Sequence, residues 1–456
     1  MIKNRMSSNK KNIIKISSGT LIGQVISILS LFVISRIYGA DVIGIWTLIN
    51  SISLVIVSFS DLGMTNSIMI DEEKDIESSY RVITGIVIII STISSIIITL
   101  YCTVFSRLPV MNKVFLFFFI LLIFFITQQI QVCYTWLNRK GEYNVLMKNP
   151  IIKNGFNAIF AILFGILGMK TYGYFIGYMI GLIVTLFHMK RYLPKGFFTF
   201  KTAEYKNVLQ KNKRFIIYQM PTNVISSFKN QLPVLLIQGL WGTEILGYYS
   251  ITVKILQTPS SLLASSIGRI FFQTISEMKR KGNEFGQYVY KYLSLGIKYA
   301  IIPMVLLMAL GDVAVTIFLG TSWKMAGDFV RILAIQYYFM FLMYTLQGLH
   351  ITLEKQNYAI ISCVFQIIGY ILGSLIGKYA FNSINCGLVL MTIFFIIITI
   401  VFFGALFKVM KVSVRKYLLN ILISTSIIII LSFLVRFLFE SFGIIEFVYA
   451  LLKIQV

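Results

Sequence analysis

The sequence predicts an all-α polytopic membrane protein of two six-helix lobes in parallel repeat, with one or two extra helices at the C-terminal end. Three observations lead there. The 456 residues are 57% hydrophobic and 13% charged, with a mean hydropathy of +0.83, far from the composition of a soluble domain. Uncharged apolar runs such as 82–100, 114–126 and 391–407 recur along the whole chain. A helix crosses the hydrocarbon in about 20 such residues, and the runs do not alternate as the strands of a barrel would. Finally, Gly39-Ala-Asp-Val-Ile-Gly-Ile-Trp46 is echoed by Gly242-Thr-Glu-Ile-Leu-Gly-Tyr-Tyr249, an offset of 242 − 39 = 203 residues. Each copy follows one long apolar segment and opens another. Such an echo points to two homologous halves, and carriers of that kind usually keep their substrate site between the halves.

Taken in order, the expected spans are 13–38, 42–69, 82–105, 114–137, 150–169 and 172–189, then 215–240, 245–275, 293–319, 328–353, 357–378 and 384–408. A further span covers 417–438, and the apolar tail 443–454 reads as a hairpin or interfacial segment. The domains follow as an N-terminal lobe over 1–189, a basic linker over 190–214, a C-terminal lobe over 215–410 and extra membrane segments over 411–456. Six spans per lobe is an even number, so both lobes should share one orientation, as parallel repeats do.

The formal charge of +24 raises nucleic acid as a partner, but its distribution argues against one. Lys3, Arg5, Lys10, Lys11 and Lys15 precede the first apolar segment. That segment is too long for a signal-peptide core and has no small-residue cleavage site after it, so we expect a retained first span with the N-terminus inside. Threading the spans from there puts 71–80, 138–149, 190–214, 278–298, 354–356 and 408–416 inside, and these hold most of the Lys and Arg. Arg107, Lys113, Lys170, Lys324 and Lys378 are the main basic residues outside. The excess charge is a topogenic signal. Cys102, Cys133, Cys363 and Cys386 lack paired spacing, and His188 and His350 cannot make a metal centre alone. Neither a phosphate-binding loop, a zinc motif nor a nucleophile elbow is present, so the chain is not expected to be an enzyme and needs no cofactor.

Ionisable groups inside spans are costly and usually face a cavity or a partner. Lys229 and Lys254 fall near the middle of successive spans, where two ammonium groups at one depth call for an anion between them. Gln219, Thr222, Asn223, Ser226, Lys229 and Asn230 form one helical face; Ser250, Lys254, Gln257, Ser261 and Ser265 form another, with Pro259 expected to bend the helix. Such stripes serve either as glue between helices or as the wall of a water-filled cavity, and the lysines favour the cavity. In the first lobe Ser17, Thr20, Gln24 and Ser27 share a face, as do Thr47, Asn50, Ser58 and Asp61, and Thr127, Gln131, Tyr134 and Asn138. Asp61 has two readings: a proton or cation handle of a coupled carrier, or a helix-end residue beside Gly63. Arg36 and Arg331 near span ends read as snorkelling side chains, and Arg269 lies toward the inner end of its span.

The N-terminal pattern Gly19-Thr-Leu-Ile, Ser35-Arg-Ile-Tyr-Gly-Ala-Asp-Val-Ile-Gly44 and Ser60-Asp-Leu-Gly63 resembles bacterial polysaccharide flippases of the Wzx type. Gly247-Tyr-Tyr-Ser-Ile, Lys254-Ile, Pro259 and Phe271-Phe272 are similar to the same family's eighth span, without the Pro expected soon after the paired aromatics. The family belongs to the multidrug/oligosaccharidyl-lipid/polysaccharide exporter superfamily, and the resemblance covers about 13–410. It implies a two-lobed carrier that moves an undecaprenyl-diphosphate-linked glycan from the cytoplasmic to the outer leaflet; a proton or sodium gradient is an open candidate for its driving force. The superfamily's cationic cavity carries over to Lys229 and Lys254, with Arg36 and Arg269 as further candidates. Asn223, Gln257, Gln24 and Gln131 are the candidate polar contacts to the glycan, and Asp61 the candidate coupling residue. The bilayer and the lipid-linked glycan are the expected partners, other polysaccharide-assembly proteins are open ones, and nucleic acid is not. A drug or cation exporter of the same fold would line its cavity with carboxylates. A membrane-embedded polymerase or ligase would need a long outside loop or an intramembrane acid–base set.

Overall fold

The structure is a computed structural model that describes residues 2–104 and 113–451, apart from 74, 194, 195, 197, 198 and 200. Arg107, the tail beyond 451 and the side chains of Lys3, Arg5, Lys10, Lys11, Cys102, Pro259, Ser261 and Ser265 lie outside the described residues.

Apolar sequence held in hydrocarbon must satisfy its own backbone, and helices do so within one segment. The chain accordingly runs through α1 (Ile2–Ile37), α2 (Ala40–Ser60), α3 (Ile76–Val104), α4 (Lys113–Lys140), α5 (Tyr143–Ile166), α6 (Gly173–Lys190), the short α7 (Thr202–Lys211) and α8 (Met220–Trp241). It continues through α9 (Thr243–Arg280), α10 (Gly286–Leu319), α11 (Lys324–Thr345), the single turn α12 (Leu349–Thr352), α13 (Gln356–Tyr379), α14 (Ile384–Val409), α15 (Val414–Ser441) and α16 (Ile444–Leu451). Every expected span is met by one long helix, and the described residues contain no strand.

Boundaries depart from the expectation in two informative places. The second apolar segment, expected over 42–69, stops being α-helical at Ser60: Gly63 takes φ +72°, and a 3-10 turn, Met64–Met69, follows. The fifth helix begins at Tyr143 rather than near residue 150, with Pro150 inside it.

Two compact units are present, Met1–Gln231 and Leu232–Val456, and the division falls within α8, beyond the basic segment 190–214. In the first unit α5 packs along α1 and α6. Small residues allow this closeness, as they do between membrane helices generally. A Cβ on Gly19 would run into the Met147 carbonyl, and one on Gly23 would stand 2.7 Å from the Pro150 oxygen. In the second unit α11 packs against α9, α10 and α14, while α13 pairs with α14 and α15 lies along α10.

Both copies of the Gly-rich echo start helices. Gly39 precedes α2 and Gly242 precedes α9, with Asp41 and Glu244 in the respective first turns, where an acid suits the helix dipole. Only Gly242, at φ +91°, needs glycine for its backbone.

Candidate substrate site

Mid-membrane charge is the chemistry to locate first. At 1.5 Å per residue, Lys229 stands about 14 Å from the start of α8 and Lys254 about 17 Å from the start of α9, both half-buried. They fall on opposite sides of the unit division. On α9 the buried residues Leu246, Tyr249, Thr252, Leu256 and Ser260 make one face, and Thr252 donates to the Ala326 carbonyl of α11 at 2.9 Å. Lys254 and the exposed Gln257 lie off that face. On α8, Ser227 donates to the Leu54 carbonyl of α2 at 2.9 Å, and Asn223 accepts from Gln219 at 2.8 Å.

The remaining expected residues divide by environment. Gln24 is half-buried on α1, and its Oε1 has no hydrogen-bond partner among the described residues. Gln131 is exposed on α4, Arg269 exposed on α9, and Arg36 exposed in the last turn of α1, a favourable end for a cation. Asp61 is 6% exposed at the C-terminal end of α2. Its Oδ1 accepts the Gly63 N–H at 2.9 Å and its Oδ2 the Thr65 N–H at 3.0 Å. Both oxygens therefore cap the turn that ends α2.

Sequence reasoning passed over three charged sites. The acidic segment after the 3-10 turn is clamped: Lys211 of α7 reaches Asp71 at 2.9 Å and Asp75 at 2.8 Å, while Lys140 holds Glu73 at 3.1 Å. The Asp75 carboxylate, with Asp71 beside it, holds the Lys211 ammonium above its ordinary range. In the second unit Asp312 of α10 is 4% exposed. Arg436 of α15 donates to both its oxygens at 2.9 Å, and Arg331 stands 3.7 Å away. The third is Lys153 of α5, whose ammonium lies 5.3 Å from the centroid of the Tyr178 ring. An intramembrane charge was the available signal in each of the last two cases.

A family model of polysaccharide biosynthesis proteins matches residues 33–328, more than half of the chain. The chain belongs to that family. No curated protein matches its sequence. Among solved structures, the fold is similar to that of the lipid II flippase MurJ in an inward closed conformation, with a TM-score of 0.71 at 14% identity over 95% of this chain and 100% of the other. An inward-facing multidrug resistance MATE family transporter of the MOP superfamily gives 0.57 at 13% identity, over 89% and 99%. The Vibrio cholerae MATE transporter VcmN in its bent form gives 0.50 at 13%, over 89% and 98%. The family member is thus an all-α protein with the fold of these structures, and among its described residues ten helices are long and apolar enough to cross a membrane.

Proposed function

We propose that this polysaccharide biosynthesis family member translocates undecaprenyl-diphosphate-linked oligosaccharide repeat units across the bacterial cytoplasmic membrane. Movement runs from the cytoplasmic to the outer leaflet by alternating access, for O-antigen, capsule or a similar surface polysaccharide, as in Wzx-type flippases. The N-terminus and the segment 190–214 face the cytoplasm, and the lobes 1–189 and 215–410 form the duplicated carrier core.

The observation that supports this most is the placement of Lys229 and Lys254, each half-buried at mid-depth on a helix bearing a polar face. An ammonium at the bilayer centre costs about 2.5–3.5 kcal/mol on insertion scales, and a diphosphate offsets that cost where an organic cation would add to it. Arg36 and Arg269 extend the cationic path toward the helix ends. Gln24, Gln131, Asn223 and Gln257 supply amide donors and acceptors for sugar hydroxyls. Asp61 is the proposed coupling residue for a proton or sodium ion, in addition to its capping bonds.

The test is complementation of a flippase-deleted strain. Lys229→Gln and Lys254→Gln should each lower surface glycan about tenfold or more, since a lost charge-assisted contact is worth about 1.5–3 kcal/mol, at unchanged protein level in the membrane. Arg at either position should rescue in part, because it keeps the charge but not the compact ammonium. Normal export by both Gln variants would overturn the cationic mechanism.

A further inference from the structure

Lys153 is a mid-helix cation that the two lysines above do not account for. Because α5 runs from Tyr143 to Ile166, Lys153 lies about 15 Å along it, near the middle of the helix. Its ammonium rests over the ring of Tyr178 on α6, 5.3 Å from the centroid, a favourable station for a cation. No ion pair or hydrogen bond is formed by that ammonium among the described residues, and the side chain is only half-buried.

The surroundings are equally under-satisfied. Asn149, about one turn before Lys153, and Asn157, about one turn after it, share the Lys153 face. Asn149 is 6% exposed, yet among the described residues neither its amide nitrogen nor its oxygen has a partner, and Asn157 Oδ1 also has none. Trp46 of α2 stacks edge-on with Tyr178 at 5.2 Å, and its buried indole nitrogen has no acceptor among the described residues. Buried polar atoms are nearly always hydrogen-bonded, so the unpartnered amides one helical turn to either side of Lys153, with the Trp46 nitrogen across the Tyr178 ring, mark a place where water or a ligand completes the bonding. A close α5–α6 approach fixes the geometry, since a Cβ on Gly181 would stand 2.5 Å from the Lys153 carbonyl oxygen.

We propose that Lys153 forms an anion subsite wholly within the first unit, its ammonium held over Tyr178 and flanked by Asn149 and Asn157. The occupant is an anionic group of the transported substrate, either a phosphate of the linker or the carboxylate of an acidic sugar. This rests on the proposed cargo being an anionic lipid-linked glycan. Tyr178 is a positioning residue, acting on the ammonium through its ring.

Binding of farnesyl diphosphate, glucuronate and farnesol to the purified full chain tests the subsite. Lys153→Gln should weaken binding of one anion about tenfold and leave farnesol unchanged, while Lys153→Arg stays within about threefold of the wild type. The anion affected names the source, phosphate linker or acidic sugar. Tyr178→Phe should bind like the wild type and Tyr178→Leu like Lys153→Gln. Because Gln could disturb folding, Lys153→Cys treated with aminoethyl methanethiosulfonate provides a second route, with the native cysteines controlled by treating the wild type. Restored anion binding supports the subsite, and no restoration overturns it. Wild-type affinity for both anions in a folded Lys153→Gln protein would also overturn it. Lys153-dependent anion binding in a chain that exports no lipid-linked glycan would leave the subsite standing and remove the proposed cargo.

Discussion

Asp61 shows how one side chain can satisfy two readings until its bonds are counted. A carboxylate at the end of a span has the look of an ion handle, yet both oxygens accept backbone N–H groups from the turn that closes α2. Asn can accept only one of these, and its NH2 would face the other donor. We expect Asp61→Asn to cost about 1–3 kcal/mol, the penalty of a buried unsatisfied donor, seen as a lower melting temperature of the purified protein. If Asp61 also carries the coupling ion, as proposed, transport per folded Asp61→Asn molecule should lose its dependence on the gradient. Unchanged gradient-driven transport per folded molecule would leave capping as the residue's whole role. Lys153 gives the complementary lesson. With the span expected from residue 150, Lys153 drew no attention, and the start of α5 at Tyr143 places it near the middle of that helix. Residue types are legible in sequence, whereas depth depends on where a helix begins.

Among the helices, α15 was expected as an appended span, and nothing in its periodicity announced what holds it. The tie is Arg436 on Asp312, two residues 124 apart in the chain, a separation no local pattern encodes. Removing one partner of a buried pair typically costs about 3–5 kcal/mol. Arg331, 3.7 Å from Asp312, should keep the loss from Arg436→Ala near the lower end. The Asp312→Asn, Arg436→Gln double variant should be more stable than the sum of its single variants predicts, by a coupling of about 1 kcal/mol or more in thermal unfolding. Additive losses would reduce the pair to a surface contact. The Gly39 and Gly242 echo, by contrast, was fully visible, because helix starts are written in a short run of Gly and acid.

For the chain as a whole, apolar runs made every long helix legible in order. Among the described residues, ten helices are long and apolar enough to cross a membrane. The long helices α5, α8 and α9 are not among them, and these three carry Lys153, Lys229 and Lys254. The polar cargo path, as proposed, is therefore drawn from the least lipid-like helices, as intramembrane function generally requires. The orientation proposed above places Lys201, whose side chain is 79% exposed, in the cytoplasm. A Lys201→Cys protein should remain unlabelled by an impermeant maleimide in intact cells and become labelled after permeabilisation; strong labelling from outside would invert the topology. The Asp312–Arg436 tie also sets a timetable for synthesis. At about 5–20 residues per second, the 124-residue separation leaves the Asp312 carboxylate waiting roughly 6–25 seconds in the membrane before Arg436 leaves the ribosome. Arg331 follows only 331 − 312 = 19 residues behind Asp312, and so is the counter-ion within reach of Asp312 until the last long helix arrives.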